Sequence, residues 1–150
     1  MSKKSIEPPQ DSLGRMVSIT SSRAQQILAR MLEPHDLTPQ QWIVLGVLWR
    51  QDGVSVGEIA TYMRSEKPAV SRLVDRMEKA GWVQKSASSS DARSILVSAT
   101  PKANEKRQLL RLYEDLNEVL LQGFSSEEVE QLFSMLGRVR DNATKNLSLK

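Results

Sequence analysis

The stretch from Ser65 to Gly81 constrains the fold of this chain most tightly. Val70, Leu73, Val74 and Met77 recur at helical spacing and make one apolar stripe, which needs a small domain to lie on. Ser71, Arg72, Arg76 and Lys79 stand on the other side. Ser65 is the expected N-cap, Pro68 falls in the first turn where its missing N–H costs little, and Gly81 supplies a left-handed stop. A helix that presents small and cationic side chains outward fits the DNA major groove. Arginine can reach guanine O6 and N7 there, and small residues permit close approach.

Charge placement supports that use. The net charge is only +3, but Arg64 to Arg93 holds seven cations against four carboxylates and so carries all of it. There is no cysteine, which excludes disulfides, thiolate metal sites and a redox-sensing thiol, and makes a cytoplasmic protein the simple expectation. Met1 to Lys4 is basic, yet Pro8, Pro9, Gln10 and Asp11 follow where an export signal needs an apolar core, so none is expected. The longest apolar run, Trp42 to Trp49, is far short of the roughly 18 residues a membrane span needs.

Taken in order, residues 1–10 are polar and proline-containing and read as a mobile arm. Residues 11–36 carry a long amphipathic helix with Leu13, Met16, Val17, Thr20, Ala24, Ile27, Leu28 and Met31 in period, and Ile19 and Leu32 beside them. Thr38 to Gln41 has the form of a capping box with Pro39 at the first helical position, opening a helix apolar nearly all round from Trp42 to Trp49. Val54 and Ser55 suit a short strand. Ser55 with Glu58 then gives a second capping box before Ile59, Ala60, Tyr62 and Met63. Arg64, Ser65 and Glu66 leave room only for a tight turn before the cationic helix, which is helix-turn-helix spacing.

After Gly81, Trp82 to Lys85 and Ser94 to Ser98 suit two strands of a β-hairpin wing around the serine-rich run Ser86 to Arg93. Thr100 and Pro101 open a helix expected to run to Gly123, and Ser125 to Glu128 caps a last one. The expected fold is therefore mainly α with a small β-hairpin. A winged helix-turn-helix lobe at 37–100 is flanked by an N-terminal helix at 11–36 and C-terminal helices at 101–150. These terminal helices offer more apolar stripe than the lobe can cover, so they are expected to dimerise.

That order of elements resembles the MarR family of bacterial transcription regulators. Leu37 to Leu45, Ser55 to Ala60, Val70 to Val83, Asp91 to Arg93 and Val97 to Ala103 are similar to successive family segments, over about Leu37 to Ala103. The resemblance implies a homodimeric repressor on a pseudo-palindromic DNA operator, released by a small anionic or phenolic effector. It nominates Ser65, Lys67, Pro68, Ser71, Arg72 and Arg76 for the major groove and Arg93 for the minor groove, where narrow A·T tracts attract guanidinium groups. It also implies that Asp91 orients the wing by pairing with Arg76 or Arg72. Arg23, His35 and Trp42 offer a cation, a polar ring and an aromatic wall for the effector. The wing departs from the family pattern: Ser86 to Ser90 is uncharged, which predicts fewer phosphate contacts.

Other classes fit less well. A single histidine, no cysteine, no nucleophile elbow and no phosphate-binding glycine loop argue against an enzyme, a cofactor or a metal site. A winged helix used only to bind other proteins remains the alternative. It has no need for cations on both the groove helix and the wing tip.

Overall fold

In the computed structural model, residues 6, 7, 9–91 and 93–148 are described; the expected mobile arm and Ala92 of the wing fall mostly or wholly outside them. The chain divides after Tyr113 into two compact units.

The first unit opens with α1 (Leu13–Leu32), capped by the Ser12 hydroxyl on the Arg15 N–H, 3.2 Å. Only its C-terminal end is buried, through Leu28 and Leu32. A single 3-10 turn, Glu33–His35, follows, and Asp36 takes a left-handed conformation. Next comes α2 (Pro39–Arg50), opened by the expected reciprocal box of Thr38 and Gln41. Val44, Leu45, Gly46, Leu48 and Trp49 are buried, so α2 is the centre of the core. The short strand β1 (Val54–Ser55) leads through the Ser55–Glu58 box into α3 (Val56–Met63).

The cationic helix is α4 (Lys67–Lys79), with Val70, Leu73, Val74 and Met77 buried as the periodicity predicts. Burying such side chains is worth roughly 1.5–3 kcal/mol each. Its start differs from expectation. Glu66, not Ser65, is the N-cap and makes no side-chain cap; the Ser65 hydroxyl instead donates to the Met63 carbonyl at 3.4 Å. Pro68 has no N–H to satisfy, and the Ala69 and Val70 N–H groups already bond to the Glu66 carbonyl. Little is left for a side-chain cap to do. At the other end Gly81 has φ +79° and a Cβ there would meet nothing closer than Lys102 at 3.9 Å, so conformation rather than space selects glycine.

Strands β2 (Val83–Ala87) and β3 (Ile95–Ala99) form the wing, and the antiparallel sheet runs β1-β3-β2 with Val83 opposite Ala99 and Lys85 opposite Val97. Strand alternation puts Lys85 on the same face as buried Val83. The Lys85 ammonium consequently meets the Asp75 carboxylate of α4, with Glu78 at 3.7 Å.

Beyond β3 the expected single long helix is broken. α5 (Pro101–Asn104) gives way to a 3-10 stretch, Arg107–Arg111, and then to α6 (Leu112–Leu120), which continues into the second unit. Indoles of α2 bond to two carbonyls of this segment, which also accept backbone N–H groups in tight i+3 turns. The Trp49 indole donates to Ala103 O at 3.2 Å and the Trp42 indole to Leu109 O at 2.7 Å. In the second unit Gly123 ends the turn after α6, and the Ser125–Glu128 box opens α7 (Ser126–Leu147), none of whose described residues is buried.

The Asp75–Lys85 bond holds the Asp75 carboxyl below its ordinary value of 3.8 and the Lys85 ammonium above its ordinary 10.5. Asp75 therefore adds stability that is complete above 3.8 and is lost as pH falls through its lowered folded value. Lys85 adds stability that is complete below 10.5 and is lost as pH rises through its raised folded value. Thermal melts of the wild type and Lys85→Met should differ most on the plateau between these limits and converge at both extremes. A difference independent of pH would show that packing, not charge, is what the lysine supplies.

Candidate nucleic-acid interface

α3 and α4 are joined by three residues. Arg64 is left-handed at φ 51° and donates its N–H to the Ala60 and Thr61 carbonyls, while the Ser65 N–H bonds to Ala60 O at 3.0 Å. A non-glycine residue in this region costs about 1–2 kcal/mol, and the bonds to the last turn of α3 hold it there. The turn thus fixes the direction in which α4 leaves.

Arg72 and Arg76 lie on successive turns of α4, both exposed. With Gln40, Met63, Ser65, Ala69, Val70 and Leu73 they line a shallow groove of about 180 Å³. Three nominated residues, Ser65, Arg72 and Arg76, are brought together here. Lys67 and Pro68 are exposed at the start of α4, and half-buried Ser71 shares a flank with Asp75 and Glu78, four and seven residues on. Gln40 escaped the sequence reading because its segment was read for its capping box and its family likeness, neither of which places it beside α4.

The wing tip is organised by Asp91, but differently from what the resemblance implied. Its carboxylate accepts from the Arg93 N–H at 2.9 Å and the Ser94 hydroxyl at 3.1 Å. No ion pair joins Asp91 to Arg72 or Arg76 among the described residues. The aspartate is spent on closing its own turn, and the tie between α4 and the wing is made by Lys85 with Asp75 and Glu78. Arg93 is exposed. The guanidinium groups of Arg72, Arg76 and Arg93 have no hydrogen-bond or ion-pair partner among the described residues, so each is available to an anion.

The three residues nominated for an effector do not converge on one cavity. Trp42 lines a cleft of about 410 Å³ with Ile43, Gly46, Arg50, Tyr62, Met63, Leu110 and Tyr113. Arg23 is bonded to Gln26 at 3.1 Å on exposed α1, and His35 sits in the 3-10 turn with its Nδ1 buried and unpartnered. Neither lines the cleft. One guanidinium nitrogen of Arg50 donates to Gly46 O at 2.9 Å, and this arginine, not Arg23, is the cation that lines the cleft.

The sequence profile of the MarR family matches residues 35–94, from the turn before α2 through the wing. An uncharacterized HTH-type transcriptional regulator of Bacillus subtilis, YwoH, is 36% identical over 115 residues, 72% of this chain and 78% of its own length. The transcriptional activatory protein BadR of Rhodopseudomonas palustris is 34% identical over 119 residues, 75% of this chain and 67% of its own. Among solved structures, a mutant MarR of E. coli complexed with operator DNA is similar with a TM-score of 0.79 at 25% identity, covering 85% of this chain and 92% of that one. On the strength of the family profile and of these relatives, the chain belongs to the MarR family of DNA-binding transcription regulators.

Proposed function

We propose that this regulator binds a pseudo-palindromic operator as a homodimer, with half-sites about one helical turn apart, and represses transcription by blocking polymerase. The observation that carries the reading is the set of three guanidinium groups without a partner among the described residues, two on successive turns of α4 and one at the wing tip. α4 enters the major groove, where Arg72 and Arg76 read base edges while Ser65, Lys67, Pro68 and Ser71 line its approach. Arg93 enters the flanking minor groove, and Asp91 presents it by closing the turn. The E. coli MarR structure with operator DNA supports this docking.

A second copy of the chain covers the apolar side chains left in solvent. On α1 these are Leu13, Met16, Val17 and Ile19, and on α7 Phe133, Met135, Leu136 and Val139. Stripes of this length are a liability on a monomer and are expected at an interface. A small anionic or phenolic effector occupies the cleft walled by Trp42, Tyr62 and Tyr113 with Arg50 as counter-ion, and its binding releases DNA.

With DNA from upstream of its own gene, Arg72→Ala or Arg76→Ala should cost ~1–3 kcal/mol wherever the arginine makes a bidentate base contact. Arg93→Ala should abolish preference for A·T flanks. Full affinity in both α4 variants would remove the groove assignment. In sedimentation equilibrium the protein should weigh twice 16.9 kDa, and Leu136→Lys should shift it toward the monomer; a wild-type monomer bound to one half-site would refute the dimer. Hydroxybenzoate should quench tryptophan fluorescence saturably and weaken operator binding, both effects fading in Arg50→Gln. If neither occurs, the cleft is not a site for aryl acids.

A further inference from the structure

One cation of the basic segment is treated unlike the rest. Lys85 lies on the core-facing side of β2, and its ammonium is held by the Asp75 carboxylate, with Glu78 3.7 Å away. Its side chain is 27% exposed, against 50% for Asp75 and 44% for Glu78, so the trio sits at the rim of the α4–wing junction rather than in the core. Among the described residues, Arg72, Arg76 and Arg93 have no such partners. The Lys79 ammonium also acts on Asp75, so two carboxylates and two ammoniums balance on this flank of α4.

Resting on the DNA-binding reading above, we propose that Asp75 and Glu78 are specificity-determining residues that withhold Lys85 from the DNA backbone. Phosphate contacts carry affinity without sequence information, and each one adds to non-specific binding. A lysine on a flexible four-carbon stem beside the recognition helix would make such a contact readily. Engaged by α4, it fixes the wing strand instead of neutralising a phosphate. Discrimination between operator and random DNA then falls to Arg72, Arg76 and Arg93. The cost is raw affinity, the gain a larger ratio between right and wrong sites.

The test is a cycle of variants of the full chain titrated onto a random-sequence duplex between about 50 and 200 mM salt, a range over which phosphate contacts weigh strongly. Lys85→Gln alone should leave the salt slope unchanged, because this lysine neutralises no phosphate. Asp75→Asn combined with Glu78→Gln should tighten random-duplex binding about fivefold and steepen the slope by about one, as expected for one added phosphate contact. Adding Lys85→Gln to that pair should return the slope to the wild-type value. A shallower slope in Lys85→Gln alone would overturn the proposal, as would no gain in the double variant or a steeper slope that survives loss of the lysine. Glu78→Gln alone removes only the longer contact; should the double variant unfold, it supplies the same reading, a smaller gain supporting the proposal and none refuting it. A wild type that binds no duplex even at the lowest salt would instead remove the DNA-binding reading itself.

Discussion

The indole N–H groups of Trp42 and Trp49 decide how the first unit closes. Both belong to the core helix α2, Trp49 buried and Trp42 half-buried; a buried donor left unpaired costs about 1–3 kcal/mol. They find the carbonyls of Leu109 and Ala103, 67 and 54 residues further along. The Arg107 guanidinium returns a bond to the Trp49 carbonyl. The segment after the wing is therefore drawn onto α2 in short turns, and Leu110 and Tyr113 come to stand across from Trp42. The aromatic cleft is a consequence of that closure.

The same segment fixes the far end of α4. The Thr100 hydroxyl donates to Gly81 O at 2.7 Å, the Lys102 ammonium donates to Ala80 O at 2.8 Å, and Lys102 also lies 4.1 Å from the centre of the buried Trp82 ring. At the near end the left-handed Arg64 and the Ser65 N–H hang from the last turn of α3. α4 is thus tied at entry and exit, with its apolar stripe buried between. A helix clamped at both ends holds its outward side chains more rigidly than a loop does, which the proposed base readout needs.

These constraints differ in how far they reach along the chain, and this sets what the sequence could disclose. The boxes Thr38–Gln41, Ser55–Glu58 and Ser125–Glu128 close over three residues and were all legible, as was the stripe of α4, which only a period of 3.6 can produce. The Ser65 cap was misread because Pro68 and the Glu66 carbonyl leave few orphan donors at that terminus, a matter of local geometry rather than residue type. The break in the post-wing helix was hidden: Leu109 and Leu112 keep helical period, and only the distant indoles reveal that their turn is tightened. Arg23 and His35 were grouped with Trp42 by chemistry alone, whereas the cleft draws its cation from Arg50, one turn beyond Gly46 on the same helix.

Family resemblance carried the positions of the cations but not their pairing. Asp91 was assigned across the wing to an arginine, yet its nearest donors, the Arg93 N–H and the Ser94 hydroxyl, lie two and three residues away. A short side chain in a tight turn finds its own backbone before it finds a distant guanidinium. With that carboxylate engaged, Arg72 and Arg76 have no partner among the described residues, and the work of joining α4 to the wing passes to the longer Lys85, whose place on the inner face of β2 follows from strand alternation with Val83. The uncharged run Ser86 to Ser90 then leaves Arg93 as the wing's cation beyond β2. In the proposed docking, few phosphate contacts and three arginines without partners among the described residues would make affinity depend on the sequence beneath them, the property a regulator choosing one operator among many sites requires.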